Sequence, residues 1–430
     1  MKAVVLAAGE GVRLLPITAT RPKHLIKVGG KPVLEHCLDA LKAVGITEAF
    51  IITHYFGNAI RQYFGDGKKF GLKLKYVDQT SLLGTGNAAS MAEPYVEGNF
   101  VLVYGDLLFS EDAPKTLIQT FETEHPDAAM AVVPVVKPEN YGVVELENAR
   151  KIKRIVEKPN SAEAPSNLAN AGLYVFSAEI FKTIQRIKSS VRGEIELTDS
   201  ISLMIKDKKT VYAAEIPKNE WFDIGQPWDL LEANVWALKR RKHKVLGTIE
   251  ESAHLIGPVT VAKTARVRSG AYIEGPSLID EGADVGPNCY IRAYTSIGRN
   301  VRIGNACEVK NSIIMDWTHI GHLSYVGDSI LCERCNLAAG TITANLRLDD
   351  GNVKMKVKDK ILDTGRRKLG TVLGDNVKTG INALLMPGVK VGQNSWIGPN
   401  YMLQKDLEAN TVAMIGRKEN QRKKNDTKST

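Results

Sequence analysis

No apolar run in the chain approaches the ~20 residues needed to cross a bilayer. The first residues also lack the succession of charged, apolar and small residues that marks a secretory leader. A cytoplasmic protein with no membrane partner is therefore expected. Cysteine is scarce, with five at Cys37, Cys289, Cys307, Cys332 and Cys335. Cys332-Glu-Arg-Cys335 has the spacing of half a zinc site, but no second Cys or His pair completes it, so buried free thiols are expected. Aromatics make up only 7% of the chain, and they are not interleaved with its basic residues. The formal charge of +9 is uneven: six Lys/Arg and two Asp/Glu follow from Arg417 onward, leaving +4 in a polar tail that reads as disordered. A second basic cluster, Lys239 to Lys242 with Lys244, ends an expected helix. With no nucleic-acid reader motif beside it, this charge is read as a positive field for phosphorylated substrates rather than as a nucleic-acid surface.

Glycine is where the sequence becomes specific. The apolar stretch Ala3 to Ala7 runs into Ala8-Gly9-Glu10-Gly11-Val12-Arg13-Leu14, and Pro22-Lys23 follow shortly. Glycines let backbone N–H groups approach phosphate oxygens, and Arg13 and Lys23 supply countercharge, which together suit a triphosphate. A dinucleotide fingerprint would need a third glycine where Leu14 stands, and a P-loop would need Gly-Lys-Ser/Thr, which is absent.

Two periodicities divide the 430 residues. Up to about residue 225, apolar strands (Phe50 to Ile52, Lys73 to Val77, Phe100 to Tyr104, Ala129 to Val136, Leu173 to Phe176) alternate with helical patterns. One such helix places Leu34, Cys37, Leu38 and Leu41 on one face and stops at Gly45. This alternation implies a mostly parallel, Rossmann-like α/β sheet whose ligands lie at the carboxyl ends of its strands. Pro227 to Lys244 reads as an amphipathic helix that closes the first half. Beyond it, apolar residues recur every six positions from Val261 through Val267, Ile273, Ile279, Val285, Ile291, Ile297 and Ile303 to Val309. Met315 continues that register, and a five-residue step resets it at Ile320, Val326, Cys332, Ala338 and Ala344; a third run follows at Leu373, Thr379, Leu385, Val391, Ile397 and Leu403. A period of six fits neither a helix nor a simple strand. It fits a triangular prism with three hexads per coil, the hexapeptide-repeat left-handed parallel β-helix. The expected organisation is 1–226 Rossmann-like α/β domain, 227–247 linker helix, 248–416 β-helix with an ejected loop at 345–370, and 417–430 basic tail.

The chain resembles the archaeal and bacterial bifunctional enzymes that join a sugar-1-phosphate nucleotidylyltransferase to a hexapeptide-repeat acetyltransferase of amino-sugar-1-phosphates. In the first half the resemblance rests on Leu6 to Lys23, Leu83-Gly-Thr-Gly86, Tyr104-Gly-Asp106, Tyr141-Gly142, Glu157-Lys-Pro159, Asn170-Ala-Gly172 and Trp221-Phe-Asp-Ile-Gly225. In the second half it rests on Glu308-Val-Lys310, Gly321-His-Leu-Ser-Tyr-Val-Gly-Asp328, Asn336 and Ala339 to Asn345. Two sequential activities are implied: acetylation of glucosamine-1-phosphate by acetyl-CoA, then uridylyl transfer from UTP with release of pyrophosphate. The alternative reading is a single-activity glucose- or mannose-1-phosphate nucleotidylyltransferase using dTTP, UTP or GTP, its prism structural or regulatory. A non-catalytic scaffold is a third reading.

For nucleotidyl transfer the resemblance places Leu6, Ala8, Gly9, Gly11, Gln79, Gly84 and Thr85 around the nucleotide, with Gln79 and Gly84 reading a pyrimidine. Arg13 and Lys23 are the catalytic cations, and Gly142, Glu157, Lys158 and Asn170 line the sugar phosphate. Asp106, just past an apolar strand, and Asp223 are the Mg²⁺ carboxylates. The Asp-Ile-Gly form at Asp223 is that of thymidylyl- and guanylyltransferase relatives, whereas bacterial bifunctional enzymes carry asparagine there. Glu194 and Asp199 match a further family segment, but they equally suit a solvated helix start and stay outside the candidate site.

For acetyl transfer His322 is the expected base, a role suited to a side chain of pKa near ~6.5. Arg292 and Lys310 lie 18 residues apart, one coil, so they stack about 4.8 Å from each other and suit a phosphate between them. The resemblance assigns Tyr325 and Asn336 to the sugar, and Ala339, Asn345 and Lys354 to acetyl-CoA. Lys354 would act from a neighbouring subunit of a homotrimer. Leu346 and Ile381 depart from the tyrosine and small hydroxyl residue of bacterial members.

Overall fold

A computed structural model of the chain describes residues 1–190, 193–416 and the backbone of 420–421. The chain forms two compact units: Met1–Glu10, Pro22–Ile26 and Pro32–Asp223 in the first, and Gly11–Arg21, Lys27–Lys31 and Ile224–Thr430 in the second. The glycine run thus belongs to both, because the chain leaves the first unit after Glu10 and returns at Pro22.

The first unit is built on nine strands: β1 (Lys2–Ala7), β2 (Glu48–Thr53), β3 (Lys73–Asp78), β4 (Asn99–Tyr104), β5 (Ala128–Pro134), β6 (Gly142–Leu146), β7 (Ile152–Glu157), β8 (Leu168–Ser177) and β9 (Val211–Glu215). They follow the order β7-β6-β8-β4-β1-β2-β3, with β5 joining β8 to β9. β1 is apolar throughout because both its faces are covered. Ala3, Val5 and Ala7 face one core with the helix Val33–Ala43, and Val4 and Leu6 face the other with the helices Thr85–Ser90 and Leu197–Lys206. Leu34, Cys37, Leu38 and Leu41 are the buried stripe of Val33–Ala43, and Gly45, at φ +84°, turns the chain out of it. The sheet is more mixed than the alternation of strands and helices implies. β1, β2, β3 and β4 pair in parallel, but β8 runs antiparallel to β4, β5 and β6, and β6 and β7 form a hairpin. The connection between β6 and β7 is too short for a parallel crossover.

The second unit contains three sheets of ten, eight and seven strands, one strand of each per coil. Val261, Ile279 and Ile297 align on one side, Val267, Val285 and Ile303 on the second, and Ile273, Ile291 and Val309 on the third, all buried inward. The register expected around residue 315 is corrected here. Five-residue steps occur at Val309 to Ile314 and at Val326 to Leu331, so Ile314, Leu331, Leu337 and Thr343 are the inward anchors rather than Met315, Cys332, Ala338 and Ala344. Both members of each pair are apolar or small, and pairing with the coils on either side selects between them. Met315 and Cys332 are buried at a corner instead. From Leu373 on, the six-residue register is the observed one.

The outer side of the seven-stranded sheet is covered as well. Leu278, Ile313, Ile330 and Val372 are buried there. On the helix Asp229–Arg240, buried Asn234 accepts hydrogen bonds from the Gly29 N–H (2.8 Å) and Ser296 Oγ (2.7 Å) and donates to the Tyr294 carbonyl (3.0 Å). Arg241, in the basic cluster, donates to the Gly29 carbonyl at 2.9 Å. The segment expected as an ejected loop forms a hairpin, Lys354–Val357 with Lys360–Asp363, whose Met355 and Val357 are buried. The basic tail expected from Arg417 lies outside the described residues, apart from the backbone of Asn420–Gln421, which pairs with Thr411 and Val412. All five cysteines are buried and free. No helix among the described residues is long and apolar enough to cross a membrane.

Two candidate active sites

β1 and β4 are neighbours in register, Leu6 opposite Tyr104, so the chain after Ala7 and the chain after Tyr104 leave the sheet at the same carboxyl edge. The Leu6 carbonyl accepts the Gly105 N–H at 2.9 Å, and Ala8 is buried behind it. This edge brings Lys23 onto Asp106, ammonium to carboxylate. A Cβ on Gly9 would stand 3.2 Å from Lys23 Nζ, so the glycine makes room for the cation. Burial opposes charge on Asp106, but Lys23 holds its carboxyl below the usual carboxylate range. Asp223 stands opposite Leu107, the residue that follows Asp106, on an antiparallel strand pair. His24 is buried beside Asp106 with neither ring nitrogen bonded, and burial pushes its pKa down to about 3. Arg13 is exposed in the second unit, where its Nη1 would lie 3.3 Å from a Cβ on Gly225. Gly11, at φ +69°, begins the short helix that carries Arg13 and accepts Thr18 Oγ1 at 2.8 Å.

Across the sheet, Gln79 is buried and donates to Asn87 Oδ1 (2.8 Å) and the Gly84 carbonyl (3.4 Å). The segment Glu194 to Leu197 is woven into this wall: Ile195 N–H donates to Leu83 O (2.7 Å), Gly86 N–H to Ile195 O (2.7 Å), and Leu197 N–H to Thr85 Oγ1 (3.0 Å). Gly84, at φ +101°, leaves 2.7 Å between a would-be Cβ and the Ile195 carbonyl. Gly142 pairs with Glu157 across the hairpin, and Thr198 Oγ1 donates to Glu157 Oε2 at 3.2 Å. Lys158, half exposed at φ +47°, follows directly. Asn170 donates to Tyr174 OH at 2.6 Å, and Tyr174 meets Tyr104 OH at 3.3 Å. Burial pushes the Tyr104 hydroxyl up to about 12, so this chain of donors stays protonated. Glu194 and Asp199 suit a capped helix start and a site wall equally as sequence; the hydrogen bond from the Ile195 N–H to the Leu83 carbonyl is a tertiary fact.

The second site lies wholly on the prism. His322, Asn336 and Ala339 line one groove of about 550 Å³ together with Arg302, Asn305 and His319. Asn305 and His322 are register partners on adjacent coils, as are His319 and Asn336. Around the corner, buried Asp328 gathers three of the expected residues. It accepts from Lys310 Nζ (3.1 Å) and Asn345 Nδ2 (2.6 Å), and Asn345 Nδ2 also reaches Tyr325 OH at 3.1 Å. Asn311 Nδ2 binds the other Asp328 oxygen at 2.7 Å. Arg292 and Lys310 do fall on adjacent coils, next to the partners Ile291 and Val309. Each already has a carboxylate, Glu308 for Arg292 (3.1 Å) and Asp328 for Lys310, so repulsion between them is relieved by the protein itself. Arg302 and His319 are additions to the candidate site; they directly precede Ile303 and Ile320, inward anchors that the spacing of six already contained. Lys354 is exposed on the hairpin, its carbonyl packed over Gly388.

The comparisons with known proteins separate along the same halves. A nucleotidyl transferase family model matches residues 2–240, and a GMPPB C-terminal domain model matches 273–386. The chain is similar to the bifunctional protein GlmU of Methanocaldococcus jannaschii, 44% identical over 411 residues, 96% of this chain and 97% of the other. It is also 41% identical over 409 residues to the bifunctional sugar-1-phosphate nucleotidylyltransferase/acetyltransferase of Sulfurisphaera tokodaii, covering 95% and 98% of the two chains. Among solved structures, a putative glucose-1-phosphate thymidylyltransferase from Bacillus anthracis superposes with a TM-score of 0.52 at 32% identity, covering 57% of this chain and 98% of that one.

Proposed function

The chain belongs to the nucleotidyl transferase family, in its branch of bifunctional sugar-1-phosphate nucleotidylyltransferase/acetyltransferases, and from that membership we propose that it makes UDP-N-acetylglucosamine in two steps. The first acetylates glucosamine-1-phosphate; the second joins the product to the uridylyl group of UTP. The observation that carries the two-activity reading is the 550 Å³ groove, where His319, His322, Asn305, Asn336, Ala338 and Ala339 line one cavity on a prism that would otherwise serve assembly alone.

In acetyl transfer the sugar amine attacks the thioester carbonyl. The C–N bond forms as the amine proton passes to His322, and the C–S bond breaks to release the coenzyme thiol. Arg292 and Lys310 hold the sugar phosphate, with Glu308 and Asp328 fixing their side chains. Tyr325 and Asn336 hold hydroxyls, while Asn345 and Ala339 face the acyl donor. A homotrimer formed through the prism would add Lys354 from a neighbouring copy.

In nucleotidyl transfer an oxygen of the sugar phosphate attacks the α-phosphorus, and the bond to the pyrophosphate oxygen breaks. Little covalent work falls to the protein, so positioning and charge neutralisation dominate. Lys23 and Arg13 neutralise the leaving pyrophosphate, Gly9 and Gly11 offer N–H groups to the triphosphate, and Gln79 and Gly84 meet the pyrimidine. Asp106, held ionised, and Asp223, paired across from Leu107, would offer the two carboxylates that a hard cation shares with phosphate oxygens. Bound there, Mg²⁺ would supply charge stabilisation at the phosphates.

The test is a pair of variants assayed for both activities. His322→Ala is expected to abolish acetyl-CoA consumption with pyrophosphate release intact, and Asp106→Ala to do the reverse. Failure of the wild-type protein to consume acetyl-CoA with any amino-sugar-1-phosphate would remove the first activity, and exclusive use of GTP would remove the pyrimidine assignment.

A further inference from the structure

Three carboxylates stack at one corner of the prism. Ile314, Leu331 and Leu373 are register partners on successive coils, and Asp316, Glu333 and Asp375 each follow two residues later. Coils repeat at about 4.8 Å, so three like charges on this column repel unless cations intervene. The cations come from far away in sequence. Arg21 Nη1 binds Glu333 Oε1 and Arg21 Nη2 binds Asp375 Oδ1, both at 2.6 Å, and Lys27 Nζ binds Asp316 Oδ2 at 2.6 Å. Thr20 Oγ1 adds a bond to Asp375 Oδ2 at 2.6 Å, and Glu333 N–H donates to Asp375 Oδ1 at 2.8 Å. The Arg21 side chain is 14% exposed and Asp375 11%, so this is not a loose surface pair. All of these groups lie in the second unit.

Arg21 and Lys27 bracket Pro22 to Ile26, the short stretch of the first unit that carries Lys23. We propose that the acidic ladder Asp316–Glu333–Asp375 is a template for the nucleotidyl-transfer segment, and that Arg21 and Lys27 are positioning residues for Lys23. This rests on the reading of Lys23 as a catalytic cation. The physical argument is one of tether length. Lys23 is two residues from Arg21 and four from Lys27, and a chain so short cannot shift at its centre without loading one of its anchored ends. An arginine forked onto two carboxylates also fixes direction as well as distance, which a flexible point charge does not. Lys23 and Arg21 therefore do different work: the first touches substrate, the second sets where the first stands.

The test uses the full-length protein with UTP and N-acetylglucosamine-1-phosphate for one activity, and acetyl-CoA with glucosamine-1-phosphate for the other. The wild type and Lys23→Ala are run first; a Lys23→Ala protein that releases pyrophosphate at the wild-type rate would sink the catalytic reading itself and, with it, the proposal. Arg21→Gln is expected to lower kcat for pyrophosphate release ~10–100-fold, the scale of a misplacement near 1 Å. The KM for the sugar phosphate should move less than about threefold, and acetyl transfer less than about twofold. Arg21→Lys should recover part of the loss by restoring charge without the fork. Asp375→Asn and Asp316→Asn probe the same contacts from the prism side if Arg21→Gln does not fold. Wild-type kcat in the folded variants would overturn the proposal. So would acetyl transfer that falls in step with nucleotidyl transfer, because that is the signature of a merely structural ion pair.

Discussion

Asp328→Asn tests whether the acetyl-transfer residues are held by one buried charge. Asp328 is 2% exposed and accepts side-chain hydrogen bonds from Lys310, Asn311 and Asn345. Asparagine keeps the shape and one acceptor oxygen but removes the negative charge beside Lys310. Breaking a fully buried pair from one side costs ~3–5 kcal/mol. Lys310 keeps 20% side-chain exposure, so water recovers part of that and ~2–4 kcal/mol is expected here. At ~2–4 °C per kcal/mol for a unit of this size, unfolding of the prism should shift down by about 4–16 °C, measurable by differential scanning calorimetry. The catalytic consequence is larger than the thermal one. With Lys310 and Asn345 released together, kcat/KM for glucosamine-1-phosphate should fall ~10–100-fold, and pyrophosphate release should not change. Wild-type acetyl transfer in a variant that has lost the expected stability would refute the reasoning, since the hub would then be structural only.

Two further predictions concern the first unit. Gly84→Ala forces a side chain into a φ of +101° and onto the Ile195 carbonyl, so KM for UTP should rise at least ~10-fold with acetyl transfer unaffected. An unchanged KM would show that the loop can move away. His24 has a folded-state pKa of about 3 because of its burial, against ~6.5 when unfolded. Between those values the unfolded chain holds a proton that the folded chain does not, so stability falls as pH drops below ~6.5, by ~1.4 kcal/mol per unit, until about pH 3. His24→Leu should flatten the acid limb of a Tm-against-pH curve over that window, and parallel curves for the two proteins would contradict the assignment.

Much of the candidate chemistry was readable residue by residue. Gly9, Lys23 and Asp106 were chosen from a glycine run and a strand end, and the sheet brings them together. His322, Asn336 and Ala339 were chosen from a motif, and one groove contains them. What escaped notice was the support. Asp328 was visible as the end of a matching block but not as its hub, because nothing local says that Lys310 and Asn345 converge on it. Glu194 and Asp199 suit a helix start, and the hydrogen bond from Ile195, between them, to Leu83 spans more than a hundred positions.

By itself the sequence determined the period of six, the strand-to-glycine turn and the reactive residue types, because each depends on neighbours within a few positions. A coil repeats, so its inward residue is dictated locally over and over. The tertiary structure decided the rest. It chose Ile314 over Met315 and Leu331 over Cys332 through pairing with adjacent coils. It made half the pairings of the first sheet antiparallel, and it set Arg21 and Lys27 on a column of carboxylates about 290 to 350 residues away. Those choices depend on which distant groups can neutralise or bury one another, and a repulsive stack of acids finds its cations only once the chain has folded.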